Sequence, residues 1–413
     1  MNIRKLIPKK LFPVYHYLLS LLGAIIYRFP SRKIKVVAVT GTKGKSTTVE
    51  LVNAILEEAG KKTALAGTIR FKIGNDSKRN LYKMTMPGRF FLQKFLRDAV
   101  NTGCQYAVIE MSSEGAKQFR HKFISIDSLI FTNLSPEHIE SHGSYEKYRK
   151  AKLSLAKAVK KTLIINKDDK EADKFLSIKG PKKLTYSIKE VEPYTSTDHS
   201  SIFTYHGISI RSSLPGEFNI YNMLGALTYA INEGISIEDV KSAFENYTGA
   251  RGRMERVTLP KENPLSKKQN FQVIVDYAHT PDSLEKVYRV FKERETICIL
   301  GNTGGGRDTW KRSEMAKIAD RYCKKIILTN EDPYDEDPRK IIGEMKVAIK
   351  NHRPEIIMDR REAIATALRK TSKDSVVIIT GKGTDPYIME ANGEKTPWDD
   401  AEVVREELEK VLR

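Results

Sequence analysis

Cysteine is scarce: Cys104, Cys298 and Cys323 are the only three in 413 residues. An odd number, far apart and without metal-type spacing, argues against a disulfide framework and for a reducing cytoplasm. No hydrophobic run is long enough to span a bilayer. The nearest is Val14–Tyr27, preceded by Arg4, Lys5, Lys9 and Lys10. It resembles a signal-peptide core, but no small-residue cleavage site follows it, and Phe29, Pro30 and Ser31 lead straight into a strand-like run. The expectation for residues 1–33 is an apolar and basic helical segment docked on the body of the protein. The alternative is a helix in contact with a membrane surface through residues 14–27. Short repeats and low-complexity tracts are absent as well.

Acidic residues are outnumbered. There are 71 Lys and Arg against 52 Asp and Glu, a formal charge of +19. This favours anionic partners, whether nucleotides, acidic substrates, nucleic acid or a membrane surface. The basic residues are spread along the chain, so charge does not choose among them. Apolar content of 40% and charged content of 30% describe a soluble globular chain, long enough for two or three domains.

The most informative stretch is Lys35–Ala59, KVVAVTGTKGKSTTVELVNAILEEA. Its β-branched start reads as a buried parallel strand, Gly41–Ser46 as a tight loop, and Lys45–Ala59 as a helix with apolar residues at Val49, Val52, Ile55, Leu56 and Ala59. Strand, glycine loop and helix in that order set backbone amides, a helix N-terminus and Lys45 around one point, which suits a polyphosphate. Ser46 would offer a hydroxyl to Mg²⁺. Val39 stands where the usual eight-residue phosphate-loop pattern has its first glycine. A glycine turn of this kind can also be purely structural.

Strands and helices alternate from there on, as in a doubly wound α/β domain. Lys62–Ala66, Tyr106–Glu110, Ser125–Asn133 and Thr162–Asn166 read as strands. Asn75–Lys83 reads as a surface hairpin or loop, and Tyr145–Val159 as a helix. Residues 184–213 read as short antiparallel strands, followed by a helix over Phe218–Asn232. Gly249–Glu255 (GARGRME) is a plausible linker. Beyond it QVIVDYAH, TICILG, KKIILTN and SVVIITG restart the alternation in a second, smaller α/β domain. The expected boundaries are 1–33, 34–249 and 250–413.

Glu110, His138, His142 and Lys152 follow strand ends, where ligands bind in such sheets. Glu110 beside Ser46 would hold Mg²⁺, which prefers few carboxylates plus phosphate and water. Each has an ordinary reading too: a strand-end Glu as an ion pair, a loop His as a hydrogen-bonding group, a helical Lys as a solvated face.

GTKGKST, IEMSSEGAKQFR, FTNLSPEHIESHG, YRKAK, GEFNIYN, GRMERV, DYAHTPDSL, GGGRD and GKGTD, in that order, resemble the Mur ligase family, ATP-dependent amide-forming enzymes of peptidoglycan precursor assembly. The resemblance runs from about Lys33 to the C-terminus and is closest to the branch that adds the third residue of the stem peptide. It implies a P-loop-type doubly wound central domain and a smaller Rossmann-like C-terminal domain. By resemblance, Gly41, Thr42, Lys43, Gly44, Lys45, Ser46 and Thr47 form the ATP phosphate loop. Asn219, Asn222, Arg253 and Asp276 match positions around adenine, phosphate and ribose. Ser46, Glu110, His138 and Lys152 match the Mg²⁺ site, Lys152 as a carbamylated lysine, and with Lys45 make up the catalytic set. Thr85, Ser112, Gln118 and Arg120 match positions holding a muramoyl-peptide substrate. Arg307, Glu331, Asp332, Tyr334, Gly381 and Asp385 match the pocket for the incoming amino acid.

The implied protein is a cytoplasmic monomer. It joins a diamino acid, meso-diaminopimelate or lysine, to a UDP-linked muramoyl dipeptide through an acyl phosphate, with no nucleic-acid partner. Two features depart from the family. Only about 33 residues precede the first strand, where full-length members carry a uridine-binding domain. The loop Glu331-Asp332-Pro333-Tyr334 stands where diaminopimelate enzymes show Asp-Asn-Pro-Arg. Five carboxylates within Glu331–Asp337 and no cation would attract an ammonium and favour a lysine-like amino acid. The remaining alternatives are a folylpolyglutamate-synthase-like ligase of the same superfamily and a nucleotide-binding scaffold without turnover.

Overall fold

The computed structural model describes residues 8, 11–137, 139–306 and 308–413, so His138 and Arg307 lie outside the described residues. The chain forms two compact units. One comprises Met1–Ser196, Ser200–Ser213 and Glu217–Thr248; the other comprises Thr197–His199, Leu214–Gly216 and Gly249–Arg413.

The first unit opens with helix α1 (Phe12–Ile26), then strand β1 (Lys35–Thr40) and helix α2 (Lys45–Glu58). β1 is buried at every residue after Lys35, the continuous apolar run of a strand covered on both faces. Next come β2 (Thr63–Ala66), the β3–β4 hairpin (Arg70–Ile73, Asp76–Arg79), α3 (Arg89–Asn101) and β5 (Tyr106–Glu110). They are followed by α4 (Ser113–Lys117), β6 (Ile126–Phe131), α5 (Ile139–His142), α6 (Tyr145–Ala156), β7 (Val159–Asn166), α7 (Ala172–Leu176) and β8 (Lys182–Tyr186).

These eight strands form one sheet in the order β4-β3-β2-β5-β1-β6-β7-β8. The six from β2 to β8 are parallel, and β3 and β4 add an antiparallel edge. Ile109, Leu129, Phe131 and Leu163 on the strands pack with Leu92, Leu96 and Leu155 on α3 and α6 in one core. The antiparallel reading of residues 184–213 is corrected at its start, because β8 runs parallel to β7. The polar and apolar alternation of KKLTY is the same in either direction. What sets it is the crossover through α7, which brings the chain back to the same end of the sheet. β9 (Thr195–Ser196), β10 (Ser201–Tyr205) and β11 (Ile208–Ser212) do form a separate antiparallel sheet. α8 (Glu217–Asn232) and α9 (Ile237–Asn246) complete the unit.

The second unit holds β12 (Glu255–Arg256), β13 (Gln272–Asp276), α10 (Pro281–Val290), β14 (Thr296–Leu300), α11 (Lys311–Tyr322), β15 (Lys325–Leu328) and α12 (Pro338–Ala348). It continues through β16 (Glu355–Ile356), α13 (Arg360–Arg369), β17 (Val376–Thr380), the β18–β19 hairpin (Tyr387–Met389, Lys395–Pro397) and α14 (Asp400–Leu412). Its main sheet, β12-β13-β17-β14-β15-β16, is parallel except for β12.

This unit corrects the cysteine reading. Cys298 in β14 and Cys323 at the end of α11 form a disulfide, with Cα atoms 5.9 Å apart across 25 residues of chain. α11 is the crossover between the parallel neighbours β14 and β15, so its end returns to the flank of β14. Distance along the chain hid that approach. Cys104 is a free, buried thiol.

Candidate active site

The loop between β1 and α2 is held in place from two sides. The Thr42 amide donates to the Asn133 carbonyl at 2.8 Å, and the Lys43 amide donates to the Asn133 side chain at 2.9 Å. Gly44 sits at φ +81°, and a Cβ there would lie 2.2 Å from Oδ1 of Asn222 on α8. Only glycine meets both conditions. Asn222 in turn donates to Asn219 at 3.1 Å. Lys45, Ser46 and Thr47 then form the first turn of α2, where helix amides and the helix dipole favour an anion. The Lys45 ammonium lies 2.9 Å from the Thr42 carbonyl, curled back over the loop.

Glu110, at the end of β5 and 2% exposed, accepts from Ser46 Oγ at 3.0 Å and from the Thr68 amide at 2.9 Å. This hydroxyl and carboxylate are hard oxygen donors next to a phosphate-type loop, a donor set that fits Mg²⁺. Among the described residues no group of three or more His, Cys, Asp or Glu converges as a dedicated metal cage. Lys152 on α6 reaches the same place. Its side chain is 1% exposed, and Nζ donates to the Gly41 carbonyl at 2.7 Å. Burial, and secondarily the Lys45 charge, push its pKa well below the ordinary lysine value, against the opposite pull of Glu137 and Glu110.

The residues read as acceptor-holding lie in the same unit. Thr85 Oγ1 is 2.8 Å from Thr68 Oγ1, so it adjoins the Glu110 loop. Ser112 caps α4 by accepting from the Gly115 amide at 3.1 Å. Arg120 donates to the Gln118 side chain at 2.8 Å and also to the Met86 carbonyl. His142 is buried, and its Nε2 is 3.1 Å from Ser113 Oγ. Desolvation lowers its pKa.

In the second unit, Arg253 and Asp276 adjoin the β13 end. The Arg253 guanidinium lies 4.4 Å above the Tyr277 ring. Asp276 accepts from the Met254 and Ala278 amides, both at 2.7 Å. The amino-acid positions Glu331, Asp332, Gly381 and Asp385 converge around one further residue, Lys382, which is fully buried. Lys382 donates to Asp332 at 2.7 Å and stands 3.6 Å from Asp385. A Cβ on Gly381, at φ +104°, would lie 2.2 Å from Glu331 Oε2. Glu331 Oε1 accepts from Thr303 at 2.9 Å, whereas Oε2 is buried without a hydrogen-bond partner among the described residues. Burial, reinforced by Asp332, raises the Glu331 pKa.

Tyr334 adopts φ +53°, and its amide donates to the Met389 carbonyl at 3.0 Å. The loop is less free to attract an ammonium than its composition suggests. Asp332 is paired with Lys382, Glu336 with Arg312 at 2.7 Å, and Asp335 accepts from the Asn392 amide at 2.7 Å. Asp337 caps α12 by accepting from the Arg339 amide at 2.8 Å. The cations that neutralise the loop come from residues distant in sequence.

Sequence reasoning missed several members of these clusters. Glu137 pairs with Lys43 at 2.9 Å, and Tyr148 meets Thr42 Oγ1 at 2.8 Å while its ring lies 5.0 Å from the Lys152 ammonium. Glu137 adjoins His138 in FTNLSPEH, so the motif contained that signal. Tyr148 falls one helical turn before Lys152, a spacing that places both on one face of α6. Arg360, buried and bidentate to Asp400 at 2.8 Å on both contacts, had no such signal.

Comparison with known proteins agrees with this geometry. Residues 39–230 match the Mur ligase middle domain, and residues 252–383 match the Mur ligase, glutamate ligase domain. The chain is 36% identical to UDP-N-acetylmuramoyl-L-alanyl-D-glutamate--2,6-diaminopimelate ligase 1 of Clostridium acetobutylicum, covering 95% of this chain and 82% of that one. It is 34% identical to the UDP-N-acetylmuramyl-tripeptide synthetase of a Roseiflexus species, covering 97% and 84%. A solved UDP-N-acetylmuramoyl-L-alanyl-D-glutamate--2,6-diaminopimelate ligase superposes with a TM-score of 0.64 at 29% identity, over 94% of this chain and 82% of that one. The folylpolyglutamate synthase of Mycobacterium tuberculosis shares the fold alone, with a TM-score of 0.68 at 16% identity over 89% and 92%. The chain belongs to the Mur ligase family, the ATP-dependent amide-bond-forming ligases of cell-wall peptidoglycan synthesis.

Proposed function

We propose that this ligase adds diaminopimelate to a UDP-N-acetylmuramoyl dipeptide. The observation that carries the reading is the convergence of the Gly41–Thr47 loop, Glu110 and buried Lys152 on one point of the first unit. The diaminopimelate ligases among its relatives support the choice of amino acid. Thr85, Ser112, Gln118 and Arg120 would bind the acidic acceptor. Asn219, Asn222, Arg253 and Asp276 would contact the adenine, phosphate and ribose of ATP. Glu331, Asp332, Tyr334, Gly381, Asp385 and Arg307 would receive the amino acid. Functionally the chain divides into 1–33, a central 34–249 and a C-terminal 250–413, and it acts as a cytoplasmic monomer without nucleic acid.

The terminal carboxylate of the dipeptide attacks the γ-phosphorus of ATP and displaces ADP, leaving an acyl phosphate. The amine of the incoming amino acid then attacks the acyl carbon, loses a proton and displaces phosphate. Lys45 and the first-turn amides of α2 offset repulsion between carboxylate and triphosphate. Mg²⁺, held by Ser46 and Glu110 with His138 as a further ligand, would supply charge neutralisation on the transferring phosphoryl group. Lys152 fits carbamylation because burial favours its neutral amine, the form that reacts with carbon dioxide. The resulting carbamate is an anion in place of that neutral amine, beside the Glu110 carboxylate.

The test is phosphate release from ATP with Mg²⁺. It should require both the UDP-muramoyl dipeptide and an amino acid, and kcat/KM should be higher for diaminopimelate than for lysine. Turnover without acceptor would overturn the ligase reading. Preference for lysine would overturn the amino-acid assignment alone.

A further inference from the structure

α1 is amphipathic in the reverse sense from an ordinary surface helix. Its polar side chains face the protein: Ser20 Oγ donates to the Phe119 carbonyl at 2.9 Å, and His16 meets the Arg89 guanidinium. Gly23 and Ala24 are buried on the same face. A Cβ on Gly23 would come within 3.6 Å of the Arg89 carbonyl and 3.7 Å of the Phe90 Cα, so α1 lies close against α3. The opposite face carries Leu11, Val14, Leu18, Leu22, Ile25 and Ile26, each 47–56% exposed. Their spacing of three and four residues makes one continuous stripe along the helix. Contiguous exposed apolar surface of this kind marks an interaction face.

Charge identifies the occupant. The first 35 residues contain eight Lys or Arg and no Asp or Glu. Arg4, Lys5, Lys9 and Lys10 precede the stripe, while Arg28, Arg32 and Lys33 follow it and are exposed. An apolar stripe bracketed by cations, with tyrosines at its margins, matches an anionic bilayer surface: lipid phosphates meet the charges and the acyl boundary meets the stripe. Fifteen residues of helix extend about 22 Å at 1.5 Å per residue, short of the ~30 Å hydrocarbon core. No helix among the described residues is long and apolar enough to cross a membrane. The geometry therefore favours a helix lying in the plane of the surface.

We propose that α1 binds the protein to an anionic membrane surface through this stripe. The helix is braced on the turn that carries the expected acceptor-holding residues. Tyr17 packs edge-on against Phe119, which lies between Gln118 and Arg120 in sequence, and against Phe123, and Arg89 donates to the Gln118 carbonyl at 3.2 Å. The bilayer would then lie beside the acceptor side of the first unit.

The test is flotation of the full-length protein with vesicles of phosphatidylcholine and phosphatidylglycerol, about three to one. Wild type should float with them, and Leu18→Asp/Leu22→Asp should lower partitioning at least about tenfold. Raising the salt should weaken binding several-fold. Both positions are exposed, so soluble ligase activity of the double variant should stay at the wild-type level; this keeps failure here distinct from failure of the functional reading. Absence of wild-type flotation, or full flotation of the double variant, would overturn the proposal. So would a wild-type dimer that the double variant converts to monomer, because the stripe would then be covered by a second copy. Equal binding to pure phosphatidylcholine would overturn its electrostatic half.

Discussion

In the first unit the side chains gathered at the β1–α2 loop include Lys43, Lys45 and Lys152, with Glu110 and Glu137 as their carboxylates. In the second unit Glu331, Asp332 and Asp385 surround a single buried Lys382, and the nearby Arg360 is matched by Asp400. The second cluster is the richer in carboxylate. A site with lysine ammonium groups and helix-terminal amides stabilises triphosphate and carboxylate. A site with surplus carboxylate stabilises an incoming ammonium. Amide formation from ATP needs both, and the account assigns one to each unit.

The largest expected effect is on the stability of the second unit. Arg360→Met leaves Asp400 buried without its guanidinium and should cost about 3–5 kcal/mol. Urea unfolding of the variant checks it, and a loss under ~1 kcal/mol would mean the pair is not sealed from water. Next is catalysis on the first unit. Lys45→Ala should lower kcat about 10²–10³-fold while thermal stability changes little, since Lys45 is not in the core. Steady-state kinetics and a melting curve separate the two readings.

Lys152→Ala should lower activity about 10–100-fold with ATP binding largely retained, and a small carboxylate in the buffer should restore part of the rate. Near-normal activity without rescue would show that no carbamate acts there. The smallest effect sharpens the contrast in carboxylate content. Glu331 has a raised pKa, so above the ordinary value of 4.5 its ionised form opposes folding. Glu331→Gln should therefore stabilise the protein at neutral pH, a gain that vanishes as the pH falls to 4.5 and below. A variant less stable at neutral pH would contradict the assigned direction.

The strand, glycine loop and helix of Lys35–Ala59 were readable because they are consecutive, so chain order alone sets their geometry. The α/β alternation was readable for the same reason, down to β13, β14, β15 and β17 as separate runs. What was hidden depended on crossovers. The β8 direction, the Cys298–Cys323 bond and the Lys382 and Arg312 partners of the acidic loop all join residues brought together by an intervening helix or a neighbouring strand. The carboxylate-rich loop is the clearest lesson. Its composition was plain in Glu331–Asp337, yet its effective charge depends on cations more than twenty residues away. The reversed amphipathicity of α1 was hidden differently, since a nearly all-apolar run does not reveal which side docks.

The most direct test of the division of labour is hydroxylamine trapping of the acyl phosphate, with ATP, Mg²⁺ and UDP-muramoyl dipeptide but no amino acid. Hydroxylamine replaces the amine, so the hydroxamate reports acyl-phosphate formation without amino-acid binding. The account predicts that Glu331→Gln forms hydroxamate at the wild-type rate while diaminopimelate incorporation falls about tenfold or more through a raised KM. Equal losses of hydroxamate and tripeptide would contradict it, because the buried carboxylate would then serve phosphoryl transfer rather than amine binding.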